Sequence, residues 1–197
     1  MIAMTFTPTS SENETAAAAW RAPVARAVPA VAVGLVITFT ADHSVVLGLA
    51  MLAVFGLGSA AVLMLSSLRL EKTEPVRGLH RGLALVTGLV GTLSAVAAFA
   101  LTGSLAVLLL LAGGYAVLAG ALELVWGMRH RGRNPLARDA IIIGIGTLAL
   151  AVVLALVADP VSAVGFFGAY AVMLGIFLII AGLSLRWSTS TQEPSTS

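Results

Sequence analysis

Arg129-His130-Arg131-Gly132-Arg133-Asn134-Pro135-Leu136-Ala137-Arg138 places four arginines between apolar runs drawn at 104–127 and 139–158. The pattern extends outward from there. Arg69, Lys72, Arg77 and Arg81 separate runs at 44–68 and 82–101. Arg21 and Arg26 are read as the flank of the first run, 24–41, and Arg186 follows the sixth, 161–185. The alternate turns, Asp42-His43-Ser44, Thr102-Gly103-Ser104 and Asp159-Pro160, carry no Lys or Arg. Basic residues collect on the cytoplasmic side of membrane proteins, so this alternation predicts six transmembrane helices with both termini inside. Each run is near the roughly 20 residues needed to cross about 30 Å of hydrocarbon.

Composition points the same way. The chain is 59% hydrophobic and 10% charged, against about 25% charged for an ordinary soluble domain. So few charges could not cover a soluble protein of this size, whereas lipid acts as the apolar solvent itself. The formal net charge of +2 is confined to the cytoplasmic ends, where anionic lipid headgroups are the expected partner. Nucleic acid is not, because no basic stripe with interleaved aromatics exists. The absence of cysteine removes disulfides, thiolate metal sites and cysteine nucleophiles. Residues 1–22 and 188–197 are Ser/Thr-rich and read as disordered cytoplasmic tails around a membrane domain at 23–187.

The helices repeat. A shift of 55 residues lays Gly91-Thr92-Leu93 on Gly146-Thr147-Leu148 and Tyr115 on Tyr170. It also lays Gly113, Gly120 and Gly127 on Gly168, Gly175 and Gly182. A shift of 60 gives a fainter copy, with Phe55 in place of Tyr115 and Ala53, Ala60 and Ser67 in place of the glycines. The fold class expected is therefore all-α integral membrane, built as three repeated antiparallel hairpins at about 24–68, 82–127 and 139–185. The repeats are parallel copies, each starting and ending inside. Glycines seven apart form one slowly turning stripe that lets a second helix approach closely.

Gly113-Gly114-Tyr115-Ala116-Val117-Leu118-Ala119-Gly120 and Gly168-Ala169-Tyr170-Ala171-Val172-Met173-Leu174-Gly175 resemble the short repeated element of the HdeD-like bacterial membrane family. The resemblance covers roughly 24–186 and is strongest from 81 onward. It implies a stress-related or accessory protein of the bacterial inner membrane and supplies no catalytic residues to carry over. Separately, a second copy of the chain or another membrane protein is an expected partner. Only the last outer turn has a proline, Pro160, which departs from a uniform repeat.

Chemistry-bearing residues are few. HExxH, GxSxG, P-loop and dinucleotide motifs are absent, so neither enzyme activity nor a cofactor is expected. His80 and His130 are flanked by arginines, a poor setting for a metal cation. His43 beside Asp42 is a pH-sensing candidate, because imidazole is the side chain suited to a physiological-pH switch; the alternative is a plain solvated turn. Glu123 is read as the one ionisable residue inside a span. A carboxylate there costs about 2.5–3.5 kcal/mol at mid-bilayer and is a functional candidate by default. The expected role is pairing with an arginine of a neighbouring hairpin; the alternative is proton or solute transport. Tyr115 and Tyr170 are expected to bond across a repeat interface or to contact lipid or solute. Trp126 and Trp187 fit an interfacial belt.

The topology is testable with single cysteines in this cysteine-free chain. Cysteines at Ser10, Val76, Asn134 and Ser195 should resist a membrane-impermeant thiol reagent in intact cells, and one at Gly103 should label. Labelling at Asn134 would remove the fourth span.

Overall fold

A computed structural model of the chain describes residues 20–71, 73–99 and 103–190. These form six helices: α1 Arg21–Phe39, α2 Val45–Arg69, α3 Pro75–Phe99, α4 Leu105–Arg129, α5 Ala137–Leu156 and α6 Pro160–Ser190. All six are long and apolar enough to cross a membrane. The tails expected at 1–22 and 188–197 lie mostly outside the described residues, but 21–22 belong to α1 and 188–190 continue α6. Helix α3 begins at Pro75 rather than near 82, because proline suits the first helical position and the arginines of this turn are helical although polar.

Each of the arginine-free turns ends in a capping side chain. Ser44 and Ser104 accept from the N–H groups of Leu47 and Val107, and Asp159 accepts from Ser162. Each satisfies a donor that a helix start leaves without an intrahelical partner. The Ser162 N–H holds the Asp159 carboxyl below the usual carboxylate range. Between α4 and α5 the chain reverses at Gly132, whose φ of 77° is a left-handed conformation that glycine takes at no steric cost.

Packing closes the six helices into a ring. The most extensive contacts join α2 to α3, α4 to α5, and α6 back to α1. The pairs linked by the arginine-free turns, α1–α2, α3–α4 and α5–α6, touch less. The expected hairpin pairing is thus displaced: the helices that lie closest are those joined on the arginine-bearing side, plus the first and last. Glycine distribution explains this. In the α2–α3 seam, a Cβ on Gly56 would lie 2.7 Å from the Gly91 Cα and the Thr87 carbonyl oxygen. In the α4–α5 seam, one on Gly144 would lie 2.6 Å from the Leu124 nitrogen, and one on Gly120 3.0 Å from the Gly144 oxygen. In the α6–α1 seam, one on Gly34 would lie 2.8 Å from the Val172 nitrogen, and one on Gly182 3.0 Å from the Trp20 oxygen. These neighbours are backbone atoms and cannot swing aside.

Of the expected stripes, Gly120, Gly127, Gly168, Gly175 and Gly182 all face a neighbouring helix, whereas Gly113 has nothing within 4 Å of its Cβ position. Crossing helices diverge from their point of closest approach, and the α4–α5 approach lies on the arginine-bearing half, away from Gly113. The three-helix interior is made by α2, α4 and α6, which also touch one another. Phe55 meets Tyr115 edge-on at 5.4 Å and Phe167 at 5.6 Å, and Tyr115 meets Tyr170 at 6.4 Å. The register of the odd helices differs from the 55-residue shift. Thr92 is exposed, while Thr87 and Thr147, 60 residues apart, are buried and each bond the carbonyl four residues back.

Val76 is 5% exposed, so protection of a cysteine there would reflect packing, and Asn134 carries the topology test. Val172 packs against Gly34, so it is no control for seam substitutions. Val117, 50% exposed, is one. Gly120→Leu and Gly144→Leu should each destabilise by about 1–3 kcal/mol through overpacking, read as a lower melting temperature in detergent. Val117→Leu should change little, and Gly113→Ala should be neutral or mildly stabilising through helix propensity.

Candidate functional site

Five polar side chains of the interior, Arg26, Glu123, Tyr115, Tyr170 and Thr147, meet in two groups. Glu123 lies six residues before the end of α4, and Arg26 five residues after the start of α1. At 1.5 Å per residue both sit about 8–9 Å from the arginine-bearing end. That common depth lets them meet: Arg26 Nη2 is 2.7 Å from Glu123 Oε1, with side chains 11% and 2% exposed. Helices α1 and α4 are not otherwise neighbours in the ring, so the pair reaches across it. Arg26, read from hydropathy as a flank, is therefore inside the first helix and is the second charge of the interior.

Two turns further from the arginines, Tyr115 and Tyr170 place their hydroxyls 3.1 Å apart. The Tyr170 hydroxyl is also 2.9 Å from Thr147 Oγ1, which itself donates to the Ile143 carbonyl at 2.8 Å. This is one continuous chain of hydroxyls from α4 through α6 to α5, ending on a backbone acceptor. Both phenols lie within electrostatic reach of Arg26 and Glu123. Each tyrosine sits on an inner helix because its ring fills the centre with Phe55 and Phe167, while its hydroxyl finds a partner, as buried tyrosines do. Glu123 Oε2 is buried without a hydrogen-bond partner.

His43 is not part of this constellation. It lies in the α1–α2 turn at the opposite end, with Nδ1 3.4 Å from the Ala41 oxygen. Asp42 is occupied by the Ser44 N–H and hydroxyl rather than by His43. Trp126 donates to the Pro75 oxygen at 3.1 Å and stacks on His130 at 4.5 Å, tying the end of α4 to the start of α3. Trp20 lies under the guanidinium groups of Arg21 and Arg186. Among the described residues, no three His, Cys, Asp or Glu side chains group as metal ligands would.

Arg26 and Thr147 are the members of this candidate site that the sequence pattern does not single out. Arg26 carried a signal: it is a base set inside an apolar helix, and a span holding a carboxylate requires a counter-charge. Thr147 carried none beyond its place in the repeat.

No family model, curated protein or solved structure matches this chain.

Two substitution series follow from the geometry. Arg26→Met or Glu123→Leu alone leaves an uncompensated buried charge and should cost about 3–5 kcal/mol. The double variant should recover most of that loss, measured as a double-mutant cycle of melting temperatures. In the hydroxyl chain, Tyr170→Phe strands the Tyr115 hydroxyl and should cost about 1–3 kcal/mol. Tyr115→Phe leaves Tyr170 bonded to Thr147 and should cost less. Equal losses for the two tyrosines would contradict the chain's direction.

Proposed function

We propose that this chain is a multi-pass bacterial inner-membrane protein of the HdeD-like type, acting without catalysis, in a stress-related or accessory role, through the membrane or a membrane partner. The observation that carries this reading is the mutual pairing of the interior polar groups. Arg26 and Glu123 bind each other, and Tyr115, Tyr170 and Thr147 bind one another. Groups engaged in this way hold helices together. An active site would instead present an acid, base or nucleophile to a space where substrate sits.

The repeated architecture belongs to the same proposal. Phe55, Tyr115 and Tyr170 recur at shifts of 60 and 55 on the inner helices. Ala30, Thr87 and Thr147 recur at 57 and 60 on the outer ones, all of them buried. We infer three copies of a helix pair around an axis along the membrane normal, with α6 and α1 forming the third copy across the chain ends. The arginine-bearing end faces the cytoplasm on this reading. Gly113 and Gly114, open on α4, leave room for a second copy or a partner helix.

One observation favours a different reading, transport of protons or a small solute through Glu123: its Oε2 is buried and unpartnered. The two readings separate in proteoliposomes. On the proposal, Glu123→Gln lowers the melting temperature, and wild type and variant show the same pH-gradient-driven flux as empty vesicles. A thermally stable Gln variant that has lost a flux present in wild type would establish transport instead.

A further inference from the structure

At the start of α3, Glu74, Arg77, Gly78 and Arg81 line an open cavity of about 400 Å³. Their spacing of three and four residues puts them on one helix face. Arg77 is half-buried and its Nε is enclosed without a hydrogen-bond partner. Among the described residues, neither Arg77 nor Arg81 is ion-paired with a carboxylate. Gly78 between them has nothing within 4 Å of its Cβ position, so the floor of the recess is open backbone. Two guanidinium groups and one carboxylate leave a local charge of +1, which one phosphodiester neutralises. Guanidinium groups bind phosphate oxygens with paired N–H donors.

We propose that this recess binds the phosphate group of an anionic lipid. The helix face favours lipid over free phosphate as the source. The row that starts with Arg77 and Arg81 continues through Leu85 and Leu89, which are 69% and 62% exposed. A phosphate held at the arginines thus has an apolar, outward-facing track beneath it for an acyl chain. The site's position at the arginine-bearing end sets it at headgroup level, and the Trp126 bond to the Pro75 oxygen fixes the helix start that carries it. This inference rests on the membrane reading and deepens it by naming a ligand and its residues.

The test is a thermal melt of the full chain in a neutral detergent, titrated separately with phosphatidylglycerol, phosphatidylcholine and inorganic phosphate. Phosphatidylglycerol should raise the melting temperature of wild type to a plateau, and phosphatidylcholine should not. Arg77→Gln/Arg81→Gln should abolish the rise. Arg131→Gln/Arg133→Gln, which removes two exposed loop charges, should preserve it. Glu74→Gln removes the opposing carboxylate and should lower the half-saturating lipid concentration several-fold. If the double arginine variant does not fold, Gly78→Leu fills the recess with both charges kept and should also abolish the rise. An unchanged response in the recess variants, or an equal loss in the loop variants, overturns the site. An equal plateau with inorganic phosphate overturns lipid as the occupant. Failure of the membrane reading would register separately, as a wild-type chain that stays out of bilayers altogether.

Discussion

Close approach of helix backbones at three seams is the constraint on which the rest of the bundle depends. Lipid tails are as apolar as leucine, so a helix gains little in a bilayer by burying one apolar face against another. What remains is van der Waals contact, which is strong only where backbones nearly touch. Gly56 with Gly91, Gly120 with Gly144, and Gly168, Gly175 and Gly182 along α1 supply those places. A side chain at Gly56, Gly91, Gly120, Gly144, Gly175 or Gly182 would crowd backbone atoms of the facing helix, and one at Gly168 would strike the Ile37 side chain. Three such seams, joined by looser contacts between neighbouring pairs, close the ring and leave α2, α4 and α6 at its centre. Aromatic rings then fill the axis between helices whose separation the glycines have set.

The buried charges and hydroxyls depend on that frame. Arg26 and Glu123 sit on helices that are not neighbours in the ring, so they meet only when the α6–α1 and α4–α5 seams hold both helices in register. Isolated, either charge would be unfavourable in the interior; as a pair they fix the depth of α1 relative to α4. Fixing register is the best-attested use of a buried ionic group. The Tyr115–Tyr170–Thr147 chain serves the same end between α4, α6 and α5. Arg26, Tyr115, Tyr170 and Thr147 are thereby engaged with one another or with Glu123, while among the described residues Glu123 Oε2, Ser94 Oγ, His80 Nδ1 and Arg77 Nε are buried without a partner.

Hydropathy made the helices themselves legible, since a span must be apolar along its whole length. It misplaced the start of α3 because Arg77, His80 and Arg81 are polar yet helical, and it read Arg26 as a flanking base although the run drawn at 24–41 contains it. Glu123 stood out as a costly charge, and its need for an arginine followed from electrostatics. Which arginine it meets depends on ring closure, which is a non-local property. The paired tyrosines were legible through their matching sequence surroundings 55 residues apart, and both lie on helices of the bundle interior. The glycine stripes were legible as close-packing surfaces, but their partners were not. Sequence neighbours joined by short turns suggested outer hairpins, whereas the glycines direct the tight contacts to the other side of each helix. Gly113 shows the limit of a heptad argument: a stripe continues along the helix after the partner has diverged.

Ring closure between the first and last helices is the claim with most at stake. It joins segments far apart in sequence, and both the α6–α1 seam and the Arg26–Glu123 pair require it. The absence of native cysteine allows a direct measurement. A Cβ at Gly168 would lie 2.9 Å from that of Ile37, shorter than the roughly 3.5–4.5 Å of a disulfide, so with a slight opening of the seam Ile37→Cys/Gly168→Cys should cross-link within one chain in native membranes under mild oxidation. Ala60→Cys/Gly88→Cys, at 3.4 Å across the α2–α3 seam, serves as the positive control. An intramolecular bond in both pairs is the predicted result. A bond in the control pair with none between positions 37 and 168, or one only between chains, would contradict the closed ring.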